Sequence, residues 1–135
     1  MQPERQTILV VEDERVLREF IGAVLNRYPY DVMMASNGHA ALKLCRHPGA
    51  QIAAAIVGLV MPDMGGDKLL PLLKTIQPNV KVVLTSGLSE GMARDIYGEP
   101  DAYFLQKPYT VKELIEAIEK VIGGATPAAK TVGAP

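Results

Sequence analysis

An α/β fold built on a five-stranded parallel sheet is predicted by three features of this 135-residue chain. Short runs rich in Val, Ile, Leu and Ala recur along it. They alternate with stretches whose apolar residues fall at helical spacing, and Gly, Pro, Asn or a capping residue marks most boundaries. The runs are continuously apolar, as in strands buried on both faces, where a half-exposed strand would alternate. Hydrophobic residues make up 48% and charged residues 21%, ordinary for a globular protein. With no Trp and only two Phe, the core falls to Val, Ile, Leu, Ala and Met. The length suits one domain with a single core.

The first strand is expected over Thr7–Val11, followed by a helix with Val16, Leu17, Phe20, Ile21, Val24 and Leu25 on one stripe. Asp31–Ala35 is the second strand. Ser36 or Asn37 can cap the second helix, which runs to about Arg46 and stops at His47-Pro48-Gly49. Ile52–Val57 is the third strand, light in side-chain volume because of Ala53, Ala54 and Ala55. Gly65-Gly66 opens a third helix reaching about Ile76. Pro71 conflicts with that helix unless it sits in the first turn or at a kink. Val80–Thr85 is strand four, Ser89 caps a short helix to about Tyr97, and Ala102–Gln106 is strand five. The last helix is the best specified: Thr110 and Glu113 form a T-x-x-E capping box, Val111, Leu114, Ile115, Ile118, Val121 and Ile122 make its stripe, and Gly123-Gly124 ends it. Residues 124–135, rich in Ala, Gly, Thr and Pro, are expected to be a flexible tail or linker after a domain at 1–123. The pattern fits a flavodoxin-like doubly wound (βα)5 sheet, strand order 2-1-3-4-5.

Composition also bounds the function. A formal charge of −1 without a basic stretch gives no footprint for nucleic acid. Cys45 stands alone, so neither an internal disulfide nor a zinc set is expected. The longest apolar run, Ile52 to Met61, is too short to cross a bilayer, and the polar N-terminus lacks a secretory h-region, which leads to the expectation of a cytoplasmic protein with no membrane partner. His39 and His47 are expected on the surface, and Met33, Met34, Met61, Met64 and Met92 are expected to fill gaps. Gly65-Gly66 lacks the G-x-x-x-x-G-K-[ST] frame of a phosphate loop.

In doubly wound sheets, chemistry sits beyond the carboxyl ends of the strands. There the sequence places Glu12-Asp13 after strand one, Gly58, Val60 and Met61-Pro62 after strand three, Thr85-Ser86 after strand four, and Lys107-Pro108 after strand five. An acidic pair ahead of a helix can simply complement its dipole, and a lone Thr or Lys at a strand end is commonly solvated. The four together in this order are harder to obtain by chance.

The segments ILVVEDE, MPDMGG, VVLTSG and FLQKPYT, each in the strand context it requires, resemble the receiver domain of two-component response regulators (CheY-like domains) over roughly residues 6 to 123. The resemblance implies a phosphorelay signalling module, not an enzyme acting on an external substrate. It implies Mg²⁺ held by Glu12, Asp13 and the Val60 carbonyl, and phosphoryl oxygens held by Thr85 and Lys107. It also implies a switch aromatic at Phe104 and a cis peptide before Pro108. Partners implied are a histidine kinase or other signalling proteins, docking on the first helix and on the face formed by helix four, strand five and helix five. A monomer or weak dimer is expected.

One position departs from the family. Where the family reads Asp, two residues, then Met-Pro, this chain reads Gly58-Leu59-Val60-Met61-Pro62. Glycine offers neither a nucleophile nor a metal ligand, so phosphorylation is not expected and Mg²⁺ binding should be weak or absent. Asp63, in the loop beyond Met61-Pro62, is a poor surrogate. Gly58 fits either a receiver that has lost phosphotransfer and works through protein contacts, or a phosphorylation-null variant of an ordinary phosphoaccepting receiver from a response regulator or hybrid kinase. A flavodoxin-like nucleotide or flavin binder is the alternative from another class. The acidic pair opposes it, since carboxylates repel phosphate unless a metal intervenes.

Overall fold

Each of the five apolar runs becomes a strand of one sheet in the computed structural model, which describes residues 5–123. The order along the chain is β1 (Gln6–Val11), α1 (Arg15–Leu25), β2 (Tyr30–Ala35), α2 (Gly38–Cys45), β3 (Ala54–Gly58), α3 (Gly66–Ile76), β4 (Lys81–Ser86), α4 (Glu90–Tyr97), β5 (Tyr103–Gln106) and α5 (Val111–Ile122). All four strand pairings are parallel and the order across the sheet is β2-β1-β3-β4-β5, as predicted. The predicted tail at 124–135 lies outside the described residues.

The pleat sorts the core into two layers, because successive side chains point to opposite faces. Leu9 and Val11, Ala55 and Val57, and Val82 and Leu84 face α2, α3 and α4, where they join Leu42, Leu69 and Leu73. Ile8, Val10, Ala54, Ile56 and Val83 face α1 and α5, where they join Ile21, Leu25, Leu114 and Ile118. Fully burying an aliphatic side chain of this size stabilises by about 1.5–3 kcal/mol, so these layers dominate the energetics. The light Ala54 and Ala55 are both fully buried at the middle of the sheet, between β1 and β4.

The caps follow the sequence closely. Asn37, not Ser36, caps α2, its side chain accepting from the Ala40 amide at 2.8 Å. Ser89 caps α4 through the Met92 amide. Thr110 and Glu113 form the reciprocal capping box of α5, and Gly123 closes that helix in the left-handed region at φ 75°.

Two expectations need correction, and the place of Pro71 is narrowed. Strand three begins and ends two and one residues later than expected: Gly58 is its last residue, paired with Thr85, while the Ile52 amide is bonded to the Gln77 side chain before the strand starts. Thr85 and Ser86 likewise belong to β4 itself. Of the two places the sequence allowed for Pro71, it does not occupy the first turn, and α3 runs on through it from Gly66 to Ile76. The Thr75 hydroxyl takes up the Pro71 carbonyl at 2.9 Å. Finally, Met34 and Met92 do not fill gaps in the core, being 46% and 53% exposed.

Among the described residues no helix is long and apolar enough to cross a membrane. His39 and His47 are exposed, as expected. Cys45 is buried, and that burial pushes its thiol pKa up, away from reactivity.

Candidate functional site

The site grows out of strand register. Val11 pairs with Val57, so Glu12 and Gly58, the next residues of β1 and β3, emerge side by side. Gly58 pairs with Thr85, and Ser86 with Gln106, which brings β4 and the residue after β5, Lys107, to the same edge. Glu12, Thr85 and Lys107 therefore converge because their strands do. The Lys107-Pro108 peptide is cis, as expected.

Glu12 is the hub. Only 3% of it is exposed, and each of its oxygens is engaged. Oε1 accepts from Lys107 Nζ at 3.4 Å, Oε2 accepts from the Glu14 amide at 2.9 Å, and the backbone carbonyl accepts from Arg18 Nη1 at 2.7 Å. A buried carboxylate needs such partners, since an unpaired charge in this position is strongly destabilising. Asp13, the next residue, is exposed, as is Asp63. Thr85 is 2% exposed.

Gly58 is not beside an open void. A Cβ built there would lie 3.3 Å from Met61 Cγ, 3.6 Å from Met61 Sδ and 3.9 Å from Glu12 Oε1. The thioether of Met61 lines the space a side chain at 58 would enter. Val60, whose carbonyl was the third expected metal ligand, is 63% exposed. Mg²⁺ favours several oxygen ligands in near-octahedral geometry. Here one of the two carboxylates is already bonded to an ammonium, and an apolar side chain lies where further oxygen is wanted. Among the described residues no group of three or more His, Cys, Asp or Glu gathers around a common point. Glu12, Asp13 and the Val60 carbonyl are the oxygen donors that this edge could offer a divalent cation, with Lys107 already paired to Glu12.

Phe104 is half-buried, packed on the layer beneath α4 against a small pocket that includes Leu59, Leu84, Ala93 and Tyr97. Two neighbours of the site had no role assigned from sequence. Arg18, one turn into α1, ties that helix to the Glu12 carbonyl. Tyr109 packs on the layer under α1 and α5, and its hydroxyl is buried without a hydrogen-bond partner among the described residues. Burial, followed by the nearby Glu12 charge, pushes the Tyr109 pKa up to about 12. Its place two residues after Lys107 was the only sequence signal for it.

Tyr109 gives a test of this geometry. An unsatisfied buried hydroxyl costs about 1–3 kcal/mol, so Tyr109→Phe is expected to raise the melting temperature at neutral pH. The raised pKa has a sign as well. The folded state favours the neutral phenol, so that contribution is complete below the ordinary value of 10.0 and is lost as pH rises toward about 12. Melting curves across that window should therefore fall more steeply for the parent than for Tyr109→Phe.

Comparison with known proteins identifies the fold and the family. The family model described as Response regulator receiver domain matches residues 8–119. The chain is 31% identical over 117 residues to "Sensor kinase CckA" of Brucella abortus (strain 2308), covering 86% of this chain and 12% of that protein. It is 28% identical to "Response regulator receiver protein CpdR" of the same organism, covering 85% of this chain and 95% of that one. Against "DNA-binding transcriptional regulator NtrC" of Azospirillum brasilense it spans 25% of the relative's length. Several of these relatives are thus much longer than the matched segment. The crystal structure of a response regulator receiver protein from Sinorhizobium medicae WSM419 superposes with a TM-score of 0.78 at 26% identity, covering 90% of this chain and 97% of that one. With the family model spanning all five strands and a solved receiver sharing nearly the whole fold, this chain belongs to the response regulator receiver domain family of two-component signalling.

Proposed function

We propose that this receiver signals through protein contacts without being phosphorylated, Gly58 standing where the family's acceptor aspartate stands. The observation that carries the proposal is the last residue of β3: it lies beside Glu12, opposite Thr85, and has no side chain to serve as nucleophile. Phosphoryl transfer needs an attacking oxygen held in line, and the remaining groups can only bind and neutralise. Thr85 and Lys107 are the phosphoryl-oxygen ligands of that pocket, and Phe104 its switch aromatic. Glu12, Asp13 and the Val60 carbonyl are the remnant of its metal site. Mg²⁺ binding there is weaker than at a pocket with three carboxylates.

Contacts with histidine kinases or other signalling proteins are assigned to α1 and to the α4-β5-α5 face. Apolar side chains without core partners support both surfaces: Val16 and Phe20 on α1 are 76% and 42% exposed, and Met92 and Ile96 on α4 are 53% and 61% exposed. The domain transforms no external substrate.

Beryllofluoride with Mg²⁺ tests the proposal, because this phosphoryl mimic must complete its coordination with a protein carboxylate oxygen. With Mg²⁺ already present, the amide NMR spectrum of the chain is expected to stay unchanged when beryllofluoride is added. Shifts at Thr85, Phe104 and along α4 would contradict the proposed function.

A further inference from the structure

We propose that the groove between the open edge of β2 and α2 takes an extended, acidic segment of a partner protein, which adds to the sheet as a further strand beside β2. This goes beyond the proposed function and does not rest on it. β2 and β5 are the two edges of the sheet, so the groove lies across the molecule from the α4-β5-α5 face.

Among the described residues β2 has β1 on one side and no strand on the other. The Ala35 carbonyl accepts from the Glu12 amide, on the β1 side, at 3.1 Å. Backbone groups alternate sides along a strand, so Met33 also faces β1, whereas Val32 and Met34 turn their N–H and C=O groups outward. Such an edge is a template for another strand unless Lys, Pro or a bulge blunts it. Tyr30–Ala35 contains no Lys or Pro, and its register with β1 runs without a bulge. Its one charge, Asp31, is paired with Arg5 at 2.9 Å.

The chemistry of the groove selects the occupant. Met33 and Met34 of β2 and Ala40 and Leu44 of α2 supply its apolar surface, and Lys43 and His47 lie among them. Ala40, Lys43, Leu44 and His47 are spaced i, i+3, i+4 and i+7, so one stripe of α2 and the turn after it follows the edge. Methionine side chains adapt to varied apolar partners. No carboxylate lines the groove, and among the described residues neither Lys43 nor His47, both exposed, forms an ion pair. In strand addition the main chain supplies the hydrogen bonds and the side chains the specificity. Apolar side chains flanked by Asp or Glu complement this surface. Residues 124–135 carry Lys130 and no acidic residue, so they lack that charge. A second copy pairing β2 with β2 about a two-fold axis would set the basic rim against itself.

Titration of the ¹⁵N-labelled full chain with a short capped peptide of alternating Val and Glu, at millimolar concentration, tests this. The amides of Val32, Met34 and Lys43 are expected to shift, and exchange at the outward Val32 and Met34 amides to slow at saturation. The same peptide with Lys for Glu should produce neither effect. Lys43→Glu combined with His47→Glu, at exposed positions that the core does not need, should weaken binding by about tenfold or more, since like charges would then meet. Lys112→Glu, the same charge change on α5 at the other face of the sheet, should leave binding unchanged. No shift with the Glu peptide, equal binding of the Lys peptide, or shifts without slowed exchange at Val32 and Met34 would overturn the proposal. So would shifts at these amides that follow chain concentration without peptide, which indicate a second copy, or that follow removal of residues 124–135, which indicate the chain's own segment.

Discussion

Gly58→Asp is expected to melt below the parent without metal, to gain more from Mg²⁺ than the parent does, and to accept a phosphoryl group. Gly58 lies in β3 and is not among the positive-φ glycines, so an L side chain suits its backbone. Restricting the unfolded chain then contributes about 0.4–1 kcal/mol in favour of the variant. Two effects oppose it. Met61 Cγ, at 3.3 Å from the new Cβ, must give by a few tenths of an ångström, which a flexible thioether can do at modest cost. The new carboxylate also joins Glu12 and Asp13, where Lys107 is the cation that pairs with Glu12 among the described residues. Each unit of pKa shift forced by like charge costs about 1.4 kcal/mol, so repulsion outweighs the entropy gain. Saturating Mg²⁺ reverses the order by binding the native variant more tightly. Paired melting curves with and without Mg²⁺, alongside a phosphorylation assay, check each half.

Gly66→Ala is expected to destabilise the domain by about 1–3 kcal/mol, the usual cost of overpacking a well-filled site. Gly66 is buried, and an added Cβ would fall 2.7 Å from the Gly58 carbonyl oxygen and 2.7 Å from Leu84 Cδ2. One of those obstacles is backbone, so α3 must lift away from the end of β3. That movement would also stretch the bond from the Gly66 amide to the Leu59 carbonyl, now 2.8 Å. Gly91→Ala, in α4 with no atom within 4 Å of the new Cβ, is the matched control. It is expected to be neutral or slightly stabilising through helix propensity. Urea unfolding of the two variants against the parent checks the contrast.

The fold was legible because local and global signals agree in this chain. Continuous apolar runs marked β1, β3 and β4 as buried on both faces. Thr110 with Glu113 and Asn37 marked helix starts by a mechanism that needs no tertiary information. Element ends were less legible, and at Gly58 and Thr85 this mattered. Whether a residue closes a strand or follows it depends on its neighbour's register, which the pairing of Gly58 with Thr85 decides and local sequence does not.

The convergence of Glu12, Thr85 and Lys107 was readable from their positions after strands. Their bonds were not, since Lys107 and Glu12 are 95 residues apart and meet only through the β1-β3-β4-β5 order. Gly65-Gly66 was visible as a helix opening, yet its reason is a close approach of α3 to the end of β3. Tyr109 was missed because an aromatic after Lys-Pro looks like ordinary core, and only burial exposes the unpaired hydroxyl.

Intact mass after incubation with acetyl phosphate and Mg²⁺, run on the parent and on Gly58→Asp side by side, most directly tests the absence of a phosphoacceptor. The parent is expected to keep its mass, while Gly58→Asp gains one phosphoryl group that hydroxylamine removes. A stoichiometric, hydroxylamine-labile phosphoryl group on the parent would contradict the proposed function, because another carboxylate would then have to be serving as the acceptor.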